Sequence, residues 1–194
     1  MDLIASAAFG VESCAAFELK TLHAENIVIQ NGRIDFTGDF ETVARANLWL
    51  RCADRVFIKM GEFRAESFED LFQGTKAIPW EEFLPEDACF PVSGKSVKSV
   101  LYSVPDCQAI VKKAVVERLK SVYHRNWFEE TGAVYKIEVA LLNDTALLTL
   151  DTSGTGLHKR GYRETAGKAP IKETLACAML DLSLSLIHIS EPTR

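Results

Sequence analysis

The segment Asn26-Ile-Val-Ile-Gln-Asn-Gly-Arg-Ile-Asp-Phe36 places an Asn-Gly pair between two short apolar runs. Asn and Gly tolerate the positive φ angles of a tight two-residue turn, so this pattern predicts a β-hairpin. Before the hairpin, Leu3–Ala8 reads as a strand, and apolar residues at helical spacing follow over Val11–Leu22. After the hairpin, a helical pattern covers Phe40–Leu50 and an apolar run covers Val56–Met60.

These elements follow one another in the order β-α-β-β-α-β. That order is the split unit of a ferredoxin-like fold, in which two helices connect the strands of one sheet. The sequence therefore predicts a ferredoxin-like α+β domain over residues 1–60, with its helices and strands contributing to one core.

A second α+β unit is predicted over residues 61–152. Ser67-Phe-Glu-Asp70 and Ser103-Val-Pro-Asp106 both have the spacing of a capping box, a pattern that marks the start of a helix. Pro105 falls in the first turn of the second helix, where proline is tolerated. That helix is amphipathic, and a further hairpin is predicted around Asn143-Asp144.

The composition excludes several classes of protein. The 194 residues carry a net charge of −5, so any contact with nucleic acid must come from local basic patches. The five cysteines have no Cys-x-x-Cys spacing and the four histidines are scattered, which argues against disulfides and a metal site and favours a reducing cytoplasm. No apolar run reaches transmembrane length, and the N-terminus lacks the basic start of a secretory signal.

The segment Asp151-Thr-Ser-Gly-Thr-Gly-Leu-His-Lys-Arg-Gly-Tyr-Arg163 combines glycines, cations and an aromatic residue directly after the apolar run Thr145–Leu150. A flexible cationic loop at the end of a strand suits contact with a phosphate backbone and a stacked base. The same composition also suits an ordinary polar connection, and the residues alone leave both interpretations open.

Two nucleotide-binding patterns are incomplete. Gly94-Lys95-Ser96 matches the end of a phosphate-binding P-loop, but Cys89 stands where that motif has a glycine. Gly156 and Gly161 have the right spacing for the same motif, but the lysine and hydroxyl residue that should follow are missing. Both patterns are therefore rejected, and no pair of residues predicts acid–base or nucleophilic catalysis.

Lysines are concentrated in the segment from Lys95 to Lys113, which suits an RNA backbone or a solvated helix face. The three tryptophans, Trp49, Trp80 and Trp127, are expected in the core or in an interface and not as stacking platforms.

Several longer segments add a resemblance. The chain resembles the N-terminal half of bacterial THUMP-containing, S-adenosylmethionine-dependent RNA methyltransferases, and most closely the 23S ribosomal RNA guanine-N2 methyltransferases, also known as putative N6-adenine-specific DNA methylase-like proteins. The matching segments are Arg45–Arg55, Gly94–Ser99, Val104–Gln108, Ile110–Ala114, Leu150–Arg163 and Ala169–Leu175.

The resemblance implies a domain order. A ferredoxin-like domain over 1–60 is followed by a THUMP RNA-binding domain over 61–152. Residues 153–181 would be the linker and the start of a Rossmann-like methyltransferase domain, truncated after its first helix. Residues 182–194 do not resemble the family and are expected to be a non-native tail. The glycine-rich loop that binds the cofactor in the family is missing from this sequence.

The resemblance also implies a function. The chain would be the RNA-recognition part of an rRNA guanine-N2 methyltransferase, inactive by itself, with large-subunit ribosomal RNA as partner and with no membrane or DNA expected. S-adenosylmethionine would serve the full-length parent and is not expected to bind this chain. Alternatives are a stand-alone THUMP RNA-binding module and the RNA-binding part of a tRNA-modifying enzyme.

No catalytic or metal-binding residue is predicted, but two sets of binding residues are. RNA contacts are predicted at eight positions: Lys95, Lys98, Lys112, Lys113, His158, Lys159, Arg160 and Arg163. Remnants of cofactor contact are implied at four positions: Pro170, Lys172, Glu173 and Thr174.

Overall fold

The computed structural model describes residues 1–125, 127–161 and 170–183. The chain forms two units. The first contains residues 1–58 together with the described residues from Thr152 onward, and the second contains Lys59–Asp151. Among the described residues, no helix combines the length and the apolar character needed to cross a membrane.

The first unit has the predicted β-α-β-β-α-β order. Its elements are β1 (Asp2–Ala7), α1 (Glu12–Thr21), β2 (Glu25–Gln30), β3 (Arg33–Thr37), α2 (Phe40–Trp49) and the beginning of β4 (Ala53–Arg64). The strands pair antiparallel in the order β2-β3-β1-β4, which confirms the ferredoxin-like prediction. A further helix, α5 (Glu173–Leu182), belongs to the same unit.

Glu12 joins the start of α1 to the turn between β2 and β3. Its carboxylate accepts hydrogen bonds from the backbone N–H groups of Gly32 and Gly10, both at 2.8 Å. The hydrogen bond from Gly32, followed by those from the backbone N–H groups of Glu12 itself and of Gly10, lowers the pKa of Glu12 below its ordinary value of 4.5. The bond to Gly32 spans 20 residues, so this side chain fixes the hairpin against the helix.

The core of the first unit lies between the sheet and its helices. Buried and half-buried residues alternate along β3, as the period of two in a strand requires, whereas Leu3, Ile4 and Ala5 of β1 are all buried. The most buried large side chains of this core are Leu3, Leu19, Ile34, Phe36 and Leu50. Each contributes about 1.5–3 kcal/mol by leaving water.

The described residues of the second unit form two α-helices and three strands besides the end of β4. They are α3 (Phe68–Ala77), β5 (Val92–Val97), α4 (Val104–Tyr123), β6 (Ile137–Leu142) and β7 (Thr145–Asp151). The strand β6 pairs antiparallel with β7 and parallel with β5, and α3 packs against α4. The hairpin of β6 and β7 turns at Asn143 and Asp144, whose φ angles are 49° and 60°, as expected for a type I′ turn.

The two predicted capping boxes have different outcomes. Ser67 and Asp70 form the complete box, each side chain accepting a hydrogen bond from the other residue's backbone N–H. The box predicted at Ser103 and Asp106 is wrong. There the serine hydroxyl donates to the aspartate carboxylate at 2.5 Å, so the two side chains satisfy each other and not the backbone. Pro105 occupies the first turn of α4, as predicted.

Trp80 is the largest fully buried side chain of the second unit. It follows α3 in a short 3-10 turn, and its indole N–H donates to the carbonyl of Thr75 at 2.8 Å. Of the three tryptophans expected in the core or in an interface, Trp80 lies in the core. Trp49 and Trp127 are 67% and 79% exposed, respectively.

Replacing Trp80 with leucine should destabilise the protein by roughly 2–4 kcal/mol, because the change leaves a cavity and removes a buried hydrogen bond. Urea unfolding followed by circular dichroism measures this loss. Trp127→Leu is the matched control, since an exposed substitution should change stability by no more than about 0.5 kcal/mol. Equal losses for the two variants would contradict the assignment of Trp80 to the core.

Replacing Glu12 with glutamine should lower the melting temperature at neutral pH, because the variant loses the charge that two backbone N–H groups stabilise. Since folding lowers the pKa of Glu12, its contribution is present above 4.5 and disappears as the pH falls through the lowered value. Melting curves from about pH 7 to about pH 3 should therefore converge for the two proteins. A constant difference in melting temperature over this range would argue against the ionised carboxylate as the cause.

Candidate functional site

The loop after β7, defined here as residues 152–161, is attached to the beginning of β4. The backbone N–H and the hydroxyl of Thr152 both donate to the carbonyl of Val56, at 3.1 and 2.8 Å. The backbone N–H of Val56 in turn donates to the hydroxyl of Ser153 at 2.8 Å. Two hydroxyl side chains therefore provide hydrogen-bond partners for the N–H and the carbonyl of Val56 on the side opposite β1.

Asn47 of α2 is the second anchor of the loop. Its side-chain amide donates to the carbonyl of Val43 and to the hydroxyl of Thr152, at 3.0 and 2.9 Å. The amide oxygen of Asn47 accepts from the hydroxyl of Ser153 at 2.7 Å. Its backbone carbonyl accepts from the guanidinium of Arg160 at 2.5 Å. One residue of a helix therefore holds both ends of the loop.

The middle of the loop is fixed by the two residues that follow Ala53. The backbone N–H of Leu157 donates to the carbonyl of Asp54 at 2.8 Å, and Arg55 donates to the carbonyl of Gly154 at 2.7 Å. Gly154 has a φ of +63°, which suits glycine. Gly156 lies under His158, and a Cβ at this position would come within 2.7 Å of the imidazole.

The predicted RNA-binding residues of the loop lie in different environments. Lys159 is exposed, whereas His158 and Arg160 are half-buried. The Nδ1 atom of His158 is buried without a hydrogen-bond partner in the described part of the chain. Arg163 lies outside the described residues. Lys159 is therefore the residue of this set whose charge is presented most directly to solvent.

The residues implied as remnants of cofactor contact meet Asp54. One carboxylate oxygen of Asp54 accepts from Lys172 at 2.7 Å and from the hydroxyl of Thr174 at 2.8 Å. Thr174 is buried, Pro170 is exposed, and Glu173 begins α5. Asp54 therefore connects the beginning of α5 to the same backbone position that holds the loop.

In the second unit, the four predicted lysines differ in their partners. Lys95 pairs with Glu138 at 2.8 Å, and Lys98 is exposed with a φ of 50°. The ammonium group of Lys112 lies 3.7 Å from the ring centroid of Phe90 and pairs with Glu130 at 2.6 Å. The fourth is Lys113, an exposed residue near the ring of Phe72.

The sequence predicts the charged residues of the site but not the residues that anchor its loop. Asn47 and Asp54 were not predicted as site residues, although both lie in the Arg45–Arg55 segment that carries part of the resemblance. No local pattern identifies them, because their partners lie 105 and 120 residues away in the chain.

A buried polar cluster lies between α1, the start of β4 and α5. Glu18, Cys52 and Asp181 place potential metal-ligand atoms within 4.8 Å of one another. The carboxylate of Glu18 already accepts hydrogen bonds from the backbone N–H groups of Arg51 and Cys52, at 2.9 and 3.0 Å, and from the Arg51 guanidinium. Burial, together with Glu18 and Asp181, raises the pKa of the Cys52 thiol. These contacts indicate a structural role for Glu18 in shaping the turn before β4.

Comparison with known families identifies both units. The model of the RlmL ferredoxin-like domain matches residues 2–57, and the model of the THUMP domain matches residues 65–151.

Three relatives extend the comparison. "Putative RNA methyltransferase YpsC" of Bacillus subtilis (strain 168) is 56% identical over 183 residues, which are 93% of this chain and 47% of YpsC. The crystal structure of "a predicted N6-adenine-specific DNA methylase" from Listeria monocytogenes str. 4b F2365 is 56% identical, with a TM-score of 0.90. The structure of "SMU.472, a putative methyltransferase complexed with SAH" is 46% identical, with a TM-score of 0.88.

Each of these two structures is matched over 93% of this chain and 48% of its own chain, so the chain spans about half the length of its relatives. The two domains occur in the order that the sequence predicts. The chain therefore carries an RlmL ferredoxin-like domain followed by a THUMP domain, and it is similar over 93% of its length to "Putative RNA methyltransferase YpsC".

Proposed function

We propose that this chain is the RNA-recognition part of an S-adenosylmethionine-dependent methyltransferase that modifies a guanine amine of large-subunit ribosomal RNA in the cytoplasm. The observation that carries the proposal is the THUMP domain, which leads directly into a loop that is fixed by its backbone and presents Lys159 to solvent. A fixed cationic loop that follows an RNA-binding domain in the chain can position a phosphate backbone without further ordering.

The chemistry of the proposed reaction needs an accessible base. The amine of a guanine in a duplex is reached only when the nucleotide is extruded or already unpaired. Residues of this chain would contribute by binding and orienting the RNA, which lowers the barrier through positioning. We assign that role to the predicted RNA-binding residues that remain open to solvent, with Lys159 and Lys98 as the clearest examples.

We infer that the four implied cofactor residues serve a structural role in this chain. Lys172 and Thr174 both donate to Asp54, and Thr174 is only 3% exposed. These contacts stabilise the beginning of α5 and engage the hydroxyl of Thr174 and the ammonium group of Lys172. We therefore expect this chain to bind no S-adenosylmethionine by itself, and we assign the methyl-transfer step to the part of its relatives that it does not span.

Replacing Lys159 with alanine should weaken binding to a structured fragment of large-subunit ribosomal RNA. If the ammonium group contacts one phosphate, the slope of log affinity against log salt should decrease by about 0.7–0.9. Fluorescence anisotropy over a salt series measures affinity and slope together. Transfer RNA and duplex DNA at matched salt test the choice of partner.

Lys20→Ala is the control for this experiment, because Lys20 is an exposed cation on α1 of the same unit and has no predicted role. An equal effect of both substitutions would remove the role assigned to Lys159. Tighter binding to duplex DNA than to RNA would contradict the proposed function as a whole.

Replacing Asn47 with alanine should weaken RNA binding without removing a charge. The variant loses the side-chain hydrogen bonds to Thr152 and Ser153, each worth about 0.5–1.5 kcal/mol, so the loop becomes less ordered. The salt slope should stay unchanged while hydrogen exchange accelerates in residues 152–161 and not in β6. A reduced salt slope would show instead that the substitution disturbs the cationic contacts themselves.

A further inference from the structure

Two lysines of the second unit share one aromatic ring. The ammonium groups of Lys76 on α3 and Lys113 on α4 lie 5.8 and 5.7 Å from the ring centroid of Phe72. Both distances are within the range in which a cation is attracted to the face of an aromatic ring. We call these three residues the Phe72 cluster. Sequence spacing cannot identify it, because Lys76 and Lys113 lie on different helices.

The charges of the Phe72 cluster are not neutralised by carboxylates among the described residues. Other cations of α4 are paired: Lys112 with Glu130, Arg118 with Glu81 and Lys120 with Glu117. Lys76 and Lys113 contact the ring of Phe72 and form no ion pair within the described part of the chain. Glu117, one turn after Lys113 on α4, is the partner of Lys120 at 3.8 Å.

This arrangement concentrates positive charge on a chain whose net charge is −5. An aromatic contact holds an exposed cation with only about 0.5–1 kcal/mol, so both ammonium groups can turn toward a stronger partner. A phosphate is such a partner, because its oxygens accept charge-assisted hydrogen bonds from lysine ammonium groups. The ring of Phe72 is half-buried, and both ammonium groups lie within about 6 Å of its centroid.

We propose that the Phe72 cluster is a phosphate contact for the backbone of structured RNA on the α3–α4 face of the THUMP domain. The proposal rests on the proposed RNA-binding function and adds two residues, Phe72 and Lys76, to those predicted. It also assigns different roles to Lys112 and Lys113, which are adjacent in the sequence. Lys113 is available to RNA, whereas Lys112 is held by the ring and carbonyl of Phe90 and by Glu130.

The test measures the affinity of the whole chain for a structured fragment of large-subunit ribosomal RNA over a salt series. Lys76→Ala and Lys113→Ala should each weaken binding by about 5- to 8-fold at 0.1 M salt and lower the salt slope by about 0.7–0.9. Lys120→Ala is the matched control, because it removes a paired lysine from the same helix. Circular dichroism and urea unfolding confirm that each variant is folded.

Phe72→Leu separates the role of the ring from that of the charges. It keeps both lysines and most of the apolar volume, so affinity should fall by a few-fold while the salt slope stays unchanged. A larger loss with Phe72→Leu than with both lysine substitutions together would mean that the ring stacks on a base, and would overturn the phosphate assignment.

The remaining outcomes are equally decisive. RNA binding by the unmutated chain with equal effects of Lys76→Ala, Lys113→Ala and Lys120→Ala would overturn the cluster and leave the proposed function intact. No binding to RNA by the unmutated chain would contradict the proposed function and the cluster with it.

Discussion

Hydrogen bonding at the beginning of β4 is the interaction on which the candidate site depends. Val56 is fully buried and pairs with Ala5 of β1 on one side. Its N–H and carbonyl point to the other side and need partners there. Thr152 and Ser153 supply them with hydroxyl groups and one backbone N–H. An unsatisfied buried polar group costs about 1–3 kcal/mol. The folded strand β4 therefore favours the conformation in which the loop stays attached to it. Asp54, two residues earlier, extends the same attachment to Leu157 and to α5.

The glycines of the loop allow its backbone conformation and its close packing and do not make it flexible. Anchors at both ends and in the middle leave little backbone freedom, and Gly154 and Gly156 occupy positions where a side chain would be strained or would collide with His158. A loop that is ordered before binding avoids part of the entropic cost of association, about 0.5–1.5 kcal/mol per immobilised side chain. Rigidity here is consistent with a binding surface and does not favour a hinge.

Local chemistry explains which parts of the fold could be predicted from the sequence. Asn31-Gly32, Asn143-Asp144 and the box at Ser67–Asp70 each determine a turn or a helix start within a few residues, and all three are confirmed. The parallel pairing of β5 with β6 joins distant segments and was not predicted. The strand β4 extends beyond the predicted Val56–Met60 at both ends, because its outer residues alternate with charged ones and interrupt the apolar run.

The partners of the charged residues are even harder to predict from the sequence than the strand pairing. Counting cations identifies Lys112 and Lys113 as equivalent neighbours, yet one lies against Phe90 with a carboxylate partner and the other faces solvent beside Phe72. Arg160 resembles Lys159 in the sequence, but its guanidinium is bound to the carbonyl of Asn47. A cation that is already compensated must break that contact before it can bind a phosphate, and this cost reduces its net contribution. In a chain of negative net charge, the uncompensated cations therefore determine where a polyanion can bind, and only the folded structure distinguishes them.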